Sequence, residues 1–177
     1  MLEEVVLVDE QNKILGSMPK TLVHRAETPL HRGFSAFLFN LQGELLLQQR
    51  ARTKKTWPLV WSNSVCGHPA IGETMEDTAC RRARHELGLE LDSIKVVVPH
   101  YRYKVVKDGV MENEICPILV GAISSEPTIN TEEVEATRWI SWQDFLAELK
   151  TNPHSYSPWC IEETGILQTR NIISSFL

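Results

Sequence analysis

Short apolar runs separated by turn-forming residues recur along the chain and predict a structure built from both strands and helices. The run EVVLV at residues 4–8 predicts a first strand, and the DEQNK that follows it is rich in turn formers. The runs GFSAFLF and ELLLQQR flank NLQG, so residues 33–50 predict a β-hairpin. Two longer strand-like runs flank the KDG turn at 107–109 and predict a second hairpin. These two runs and one further short strand lie at 94–106, 112–123 and 136–141.

The sharpest helical pattern lies between Thr74 and Gly88. Thr74 precedes Asp77 by three residues, as in a capping box, and Gly88 stands where a helix commonly ends. The apolar positions between them repeat every four residues, at Met75, Ala79, Ala83 and Leu87. This spacing predicts a helix over 75–87.

Two more helices are predicted in the C-terminal part of the chain. Ser141 and Asp144 repeat the capping pattern, and that helix should end before Asn152-Pro153. Ser157-Pro158 opens the other helix, because proline is favoured at a first helical position. The stretch 57–69 mixes proline, glycine, serine and aromatic residues, which predicts an ordered but irregular loop. Strands that come in hairpins, together with helices, indicate an α+β fold with mixed or antiparallel sheets flanked by helices.

Size and composition indicate a single globular domain over residues 1–177. A chain of 177 residues can bury a real core, and 42% hydrophobic with 23% charged residues is ordinary for a soluble protein. No apolar run approaches the roughly 20 residues that cross a bilayer, and the acidic N-terminus MLEEVVLVDE does not resemble a signal peptide. We therefore expect a cytoplasmic protein that does not bind membranes. The four cysteines form no CxxC pair and are expected to be reduced.

Charge is distributed unevenly. With 18 basic and 23 acidic residues the net charge is −5, which argues against a general nucleic-acid binder. Two basic clusters nevertheless stand out, RARTKK at 50–55 and RRAR at 81–84. Either cluster taken alone is better explained as a solvated face. Together, on an acidic protein, they favour a small anionic ligand.

Three histidines and two glutamates are candidates for a metal site. Glu112 and Glu114 lie two apart on a predicted strand, so their carboxylates point to the same face. Neighbouring carboxylates are costly unless a cation lies between them or one is protonated. His68 precedes the predicted helix, and His24 and His31 lie near the N-terminus. Such a mixed nitrogen and oxygen set suits Mn²⁺, Zn²⁺ or Mg²⁺, although each histidine taken alone is more often an ordinary surface residue.

The segment 67–89 resembles the Nudix box, whose clustered glutamates hold divalent cations for attack of water on a diphosphate. The matching positions are Gly67, Glu73, Arg81, Ala83, Glu86, Gly88 and Leu89. Arg82 and His85 replace two acidic residues of the motif. The change weakens hydrolysis while keeping the scaffold, and an arginine suits holding a phosphate group.

Further motifs narrow the resemblance to the type I isopentenyl-diphosphate isomerases, which are Nudix-fold proteins. The motifs are LHRGFSAFLFN at 30–40, RARTKKTWPLVWSNSVCGHP at 50–69, YRY at 101–103, ENEICP at 112–117 and SPW at 157–159. The resemblance implies a Nudix-type fold and a metal-dependent isomerase of isoprenoid biosynthesis. Such an enzyme interconverts isopentenyl and dimethylallyl diphosphate by protonation and deprotonation through a carbocation-like intermediate.

The same resemblance implies two cation sites. One divalent metal, Mn²⁺, Zn²⁺ or Mg²⁺, would be held by His24, His31, His68, Glu112 and Glu114. A Mg²⁺ that arrives with the diphosphate would be held by Glu86 and the backbone carbonyl of Cys66.

Roles for the remaining site residues also follow from the resemblance. Cys66 and Glu114 would transfer the protons, with Glu114 favoured as the first donor, and Tyr103 would hydrogen-bond Glu114. Trp159 would form the aromatic wall beside the developing cation. Lys20, Arg50, Lys54 and Arg82 would hold the diphosphate. The expected partner is a small isoprenoid diphosphate, bound by a monomer or weak dimer.

Three other functions fit parts of the sequence. A Nudix hydrolase would cleave a nucleoside diphosphate derivative, but Arg82 and His85 argue against it. A cysteine hydrolase would pair Cys66 with His68, although residues two apart on an extended segment point to opposite sides. A non-catalytic scaffold would have no need for both Cys66 and Glu114.

Overall fold

A computed structural model describes residues 3–176 of the chain, which form two β-sheets and five α-helices. The strands are β1 Glu4–Val8, β2 Ile14–Pro19, β3 His31–Arg32, β4 Phe34–Phe39, β5 Glu44–Arg50, β6 Trp61–Ser62, β7 Val65–Gly67, β8 Ser93–Val98, β9 Arg102–Lys107, β10 Val110–Ile115, β11 Ile118–Ala122 and β12 Val134–Ser141. The helices are α1 Lys20–Val23, α2 Met75–Leu87, α3 Trp142–Thr151, α4 Pro158–Thr169 and α5 Ile172–Phe176, with a 3₁₀ turn at Pro153–Ser155.

Both sheets are mixed, as predicted. The five-stranded sheet has the order β2-β1-β3-β10-β9, and the seven-stranded sheet has the order β12-β5-β4-β11-β8, with β6 beside β5 and β7 beside β4. The pairs β3–β10 and β4–β11 are parallel and the other pairs are antiparallel. Among the described residues no helix is both long and apolar enough to span a bilayer.

The centre of the larger sheet is buried on both faces. Phe37 and Phe39 of β4 pack into one apolar cluster with α3 and α4, while Ala36 and Leu38 pack into another with α2. Alternate residues of a strand point to opposite faces, so every position of β4 lies inside the core. The helices therefore cover both faces of this sheet.

The helix predicted over 75–87 is confirmed as α2. The side chain of Thr74 accepts a hydrogen bond from the Asp77 N–H at 3.1 Å, a cap worth about 1 kcal/mol. Gly88 ends the helix in the left-handed region, at φ 63°. The two C-terminal helices also begin where predicted, at Trp142 after the Ser141 cap and at Pro158.

The two long strand-like runs were wrongly predicted as continuous strands. The run 94–106 divides into β8 and β9, and the run 112–123 divides into β10 and β11. In each case one half joins one sheet and the other half joins the other sheet. Pro117 marks the second break, because proline has no N–H to donate to a sheet ladder. The KDG turn does connect an antiparallel pair, β9 and β10.

The segment predicted as an irregular loop contains two short strands that enter the hairpin predicted over 33–50. β4 and β5 are antiparallel but pair only at Phe39 and Leu45. Beyond that point the hydroxyl of Ser64 accepts from the Leu38 N–H at 2.8 Å and donates to the Leu46 carbonyl at 2.6 Å. β6 and β7 thus lie between the two strands, and β7 carries Cys66 into the interior.

Strand β2 and the short elements β3, α1 and α5 were not predicted. They are brief or lack a clear apolar period, and β3 in addition pairs with the distant strand β10.

Candidate active site

A cavity of about 310 Å³ is lined by strands of both sheets. Cys66 reaches it from β7 in the seven-stranded sheet, and Glu114 reaches it from β10 in the five-stranded sheet. The predicted site residues other than His31 all line this cavity. His31 is fully buried and contacts Glu114. The tertiary fold therefore brings together residues that the sequence leaves more than 100 positions apart, from Lys20 to Trp159.

Three histidines and Glu114 form one compact cluster. One potential ligand atom from each of His24, His31, His68 and Glu114 lies within 4.8 Å of the others. Glu112 adjoins the cluster, because its Oε2 lies 2.9 Å from His24 Nε2. The predicted donor set thus converges in space.

The chemistry of this cluster fits a divalent cation. His31 Nδ1 lies 2.9 Å from the Pro29 carbonyl and donates to it, which leaves Nε2 to face Glu114 Oε1 at 3.2 Å. His68 Nε2 lies 3.1 Å from the same oxygen. Imidazole nitrogens gathered around a carboxylate oxygen form a donor set compatible with a divalent cation.

Burial and hydrogen bonding set the charges in this cluster. Burial lowers the pKa of His68 to about 4, so its ring is neutral at pH 7. Burial alone would raise the pKa of Glu114, but hydrogen bonds with His31 and His68 hold it well below its usual range. Burial alone would lower the pKa of His31, but its hydrogen bond with Glu114 raises it. A neutral His68 and an ionised Glu114 are in the protonation states that ligate metals.

The Glu114 carboxylate fits in its place only because residue 33 is a glycine. Gly33 follows β3, and its N–H donates to the Ile115 carbonyl at 2.9 Å. A Cβ at Gly33 would lie 2.0 Å from Glu114 Oε2. A side chain there would displace the carboxylate, so glycine is required.

Cys66 is held by a hydrogen-bond network. Its Sγ donates to Asn63 Oδ1 at 3.1 Å and lies 3.5 Å from Ser35 Oγ. Burial, aided by the nearby Glu163 carboxyl, raises the pKa of Cys66 to about 12, so the residue is a thiol at pH 7. Asn63, Ser35 and Glu163 were not predicted, since no spacing in the sequence connects them to Cys66.

The aromatic residues line the cavity, but one predicted contact is not made. Tyr103 lies opposite Glu114 in the register of β9 and β10. No hydrogen bond joins the Tyr103 hydroxyl to Glu114 among the described side chains. The Tyr103 ring lies against Trp159, at 5.9 Å between centroids. Trp159 is 4% exposed and donates from Nε1 to Ser62 Oγ at 3.1 Å.

The predicted phosphate-binding cations are arranged with three carboxylates. Lys20 Nζ lies 2.8 Å from Glu3, and Lys54 pairs with Glu133. The Arg82 guanidinium donates to Glu86 Oε1 from Nε at 2.9 Å and from Nη2 at 2.7 Å. Of these acids only Glu86 was predicted. Glu3 and Glu133 lie far from the motifs, so only the fold reveals that they balance these cations.

Arg50 differs from the other three cations. Its guanidinium donates to the carbonyls of Thr56 and Trp57 and lies 5.4 Å from the centroid of the Trp159 ring. It lines the cavity and also fixes the loop after β5. Arg50 thus connects the cationic and aromatic parts of the site.

Arg82 and His85 stand where the Nudix box normally has acids. Arg82 is buried against Glu86, whereas His85 is half-exposed with Nε2 3.5 Å from Glu133. The guanidinium occupies the space beside Glu86 that a second carboxylate would otherwise share. Arg82 thus brings a cation into this part of the cavity, where Glu86 pairs with it.

Comparison with known proteins identifies relatives over nearly the whole chain. The NUDIX domain family matches residues 29–160. The isopentenyl-diphosphate Delta-isomerase of Salmonella arizonae is 41% identical over 175 residues, covering 98% of this chain and 96% of that protein. The enzyme of the same name from Saccharopolyspora erythraea is 44% identical over 167 residues, covering 94% of this chain and 86% of that protein.

A solved structure supports the fold alone. The MutT protein from Methanosarcina mazei Go1 superposes with a TM-score of 0.68 at 16% identity, covering 82% of this chain and 97% of that chain. The predicted Nudix-type fold is thereby confirmed.

Proposed function

The chain belongs to the isopentenyl-diphosphate Delta-isomerases of the NUDIX domain family, and we propose that Cys66 and Glu114 move the protons by which it converts isopentenyl diphosphate into dimethylallyl diphosphate. The observation that carries this proposal is that the thiol and the carboxylate, from different sheets, line the same cavity. The whole chain acts as one catalytic domain.

The reaction adds one proton and removes another. In the protonation states described above, Cys66 carries a proton and Glu114 is ionised, so Glu114 becomes the expected first donor only after it takes up that proton. The protonated group then gives its proton to the terminal carbon of the double bond, and charge develops on the adjacent tertiary carbon. The deprotonated partner accepts a proton from the next carbon, and the double bond forms at its new position. Because the reaction is reversible, the two residues exchange roles in the opposite direction.

The cavity wall stabilises the developing positive charge. The indole of Trp159 and the ring of Tyr103 lie side by side, and both line the cavity. An aromatic face next to a desolvated cation contributes up to about 2 kcal/mol. Bulky apolar walls also keep out water, which would otherwise capture the intermediate.

His24, His31, His68, Glu112 and Glu114 would hold one divalent cation, Mn²⁺, Zn²⁺ or Mg²⁺. When bound there, the cation would fix the orientation of the Glu114 carboxylate and lower its proton affinity. Glu86 and the Cys66 carbonyl would hold a Mg²⁺ that accompanies the diphosphate. The convergence of ligand atoms from His24, His31, His68 and Glu114 within 4.8 Å of one another supports the first of these sites.

The cations of the cavity bind the diphosphate away from the double bond. Lys20, Lys54 and Arg82 are paired with carboxylates in the free protein, so they are already directed into the site. Anchoring the charged end lets binding energy hold the reacting carbons between Glu114 and Cys66. Arg82 and His85 replace acids that hydrolysis would need, which disfavours the hydrolase alternative.

Incubation of the metal-loaded protein with isopentenyl diphosphate in heavy water tests the proposal. We expect deuterium in the new methyl group and, through the reverse reaction, at the carbon that loses a proton as the new double bond forms, both detected by NMR. Release of phosphate without deuterium exchange into carbon would contradict it.

A further inference from the structure

Glu163 is a buried carboxyl group that none of the steps above uses. It lies in α4 and is fully buried, and its Oε1 has no hydrogen-bond partner among the described residues. Burial raises its pKa well above the usual range. A buried polar group with an unmade hydrogen bond is costly, and such a cost is commonly retained for function.

A chain of hydrogen bonds connects Glu163 to the thiol. Ser35 Oγ donates to Glu163 Oε2 at 2.6 Å and accepts from Asn63 Nδ2 at 2.9 Å. The amide oxygen of Asn63 accepts from Cys66 Sγ at 3.1 Å. Ser35 and Cys66 are also register partners across β4 and β7. The series runs from α4 through two strands and ends at the sulfur.

The carboxyl determines the direction of the first bond in this series. Because Ser35 gives its proton to Glu163, its oxygen is available only as an acceptor for Asn63 Nδ2. The amide nitrogen of Asn63 also donates to the carbonyls of Ala36 and Val65, so Oδ1 is left to accept from Ser62 Oγ, at 2.9 Å, and from the thiol. Without the acceptor on α4, the Ser35 hydroxyl can turn and donate to the sulfur, which lies 3.5 Å away.

We propose that Glu163 is a positioning residue that fixes the orientation of the Cys66 thiol through Ser35 and Asn63. The proposal rests on the role given to Cys66 in the proposed function. What it adds is a requirement for a hydrogen-bond acceptor at residue 163, which is outside the cavity lining.

Kinetics of two substitutions at this position, in the metal-loaded protein, test the inference. Glu163→Leu removes the acceptor, and we expect kcat for isopentenyl diphosphate to fall about tenfold with KM within about twofold. Glu163→Gln keeps an acceptor oxygen and should keep kcat within about twofold of the wild type. Equal loss in both variants, or wild-type kcat in Glu163→Leu, would overturn the inference.

A second variant, in the same series of hydrogen bonds, keeps the inference testable if Glu163→Leu does not fold. Ser35→Ala should resemble Glu163→Leu, and the double variant should be no slower than either single one, because one connection is being broken. The matched control is Thr164→Val, since Thr164 is equally buried on α4 but bonds only to the Cys160 carbonyl. The melting temperature of Glu163→Leu should stay close to that of the wild type, because the loss of the bond from Ser35 is offset by removal of a costly buried carboxyl.

Crystal structures of the wild type and of Glu163→Leu decide the inference independently of activity. We expect Cys66 Sγ to leave hydrogen-bonding distance of Asn63 Oδ1 in the variant. An unchanged Asn63 and Cys66 would overturn the inference even if the wild type isomerises its substrate. A wild-type protein without isomerase activity would instead defeat the proposed function, and the same two structures would still report on the positioning.

Discussion

His31 and Glu114 are register partners in the short parallel pairing of β3 with β10, and their side chains meet with Nε2 3.2 Å from Oε1. A pairing of two residues thus joins the N-terminal part of the candidate metal site to its central carboxylate. Gly33 follows immediately and continues the backbone contact to β10.

Gly33→Ala should disable the site without unfolding the protein. The added methyl would lie 2.0 Å from Glu114 Oε2, so the carboxylate must leave its place. We expect at least a tenfold loss of divalent-metal affinity, together with loss of turnover, measured by calorimetric titration and by isomerase assay. Gly165→Ala is the control, because a Cβ at that helical position meets no atom within 4 Å. Normal metal binding by Gly33→Ala would contradict the geometry described for Glu114.

Cys66→Ala and Glu114→Gln should each reduce kcat by at least about 10³-fold, since each removes one of the two proton-transfer groups. Circular dichroism and melting curves should remain those of a folded protein. Cys80→Ala is a suitable control because Cys80 is a partly buried residue of α2 that does not line the cavity. A near-normal rate in Cys66→Ala would refute the role of the thiol.

Removal of divalent cations should abolish turnover and lower the melting temperature, because a ligand that binds only the folded state stabilises it. Restoring Mg²⁺ and Mn²⁺ or Zn²⁺ should reverse both effects. His24→Gln should weaken metal binding about 10- to 100-fold, whereas His100→Gln, at an exposed position, should not. Full activity after stringent chelation would contradict the metal requirement.

Lys54→Met should lower kcat/KM about 10- to 100-fold, because a hydrogen bond to a charged phosphate oxygen is lost. The partner carboxylate stays compensated, since Glu133 also lies 3.3 Å from Arg82. Arg52→Met is the control, because the Arg52 side chain is 73% exposed and pairs with Glu135. Steady-state kinetics with isopentenyl diphosphate compare the two, and equal effects would argue against a specific role for Lys54.

Glu73→Gln should destabilise the protein at neutral pH but not in acid. Hydrogen bonds from Arg81 lower the pKa of Glu73 to about 2, against 4.5 in the unfolded chain. The ionised group therefore stabilises the fold above about pH 4.5, and this contribution is lost as the pH falls towards about 2. Because the Arg81 side chain is 41% exposed, solvent screening reduces the expected loss at pH 7 to about 1 kcal/mol.

Urea unfolding of the wild type and of Glu73→Gln at several pH values measures this difference. The difference in the free energy of unfolding between the wild type and Glu73→Gln should decrease steadily below about pH 4.5. Glu90→Gln, which breaks the exposed pair with Arg84, should show a smaller effect at every pH. A stability difference that is independent of pH would show that the charge of Glu73 does not cause it.

Local patterns predicted the elements whose stability is mostly local. The Thr74 cap, the four-residue apolar period and Gly88 lie within one segment, and together they define α2. Glu112 and Glu114 share a face for the same kind of reason, because the alternation of a strand needs no distant partner. The motifs of the chain likewise sufficed to name its family.

Distant contacts decided the rest. The strands predicted over 94–106 and 112–123 each divide because one half pairs in one sheet and the other half pairs in the other sheet. No local period in the sequence reveals this division. Glu163 accepts a hydrogen bond from Ser35, and Glu3 and Glu133 pair with Lys20 and Lys54. Each of these acids is distant in sequence from the residue that it contacts. Hydrogen bonds and ion pairs act over a few ångströms of space, whereas a sequence orders residues only along the chain. The candidate reactive groups could therefore be named from the sequence, whereas the network of hydrogen bonds and ion pairs around them arises only when the two sheets fold together.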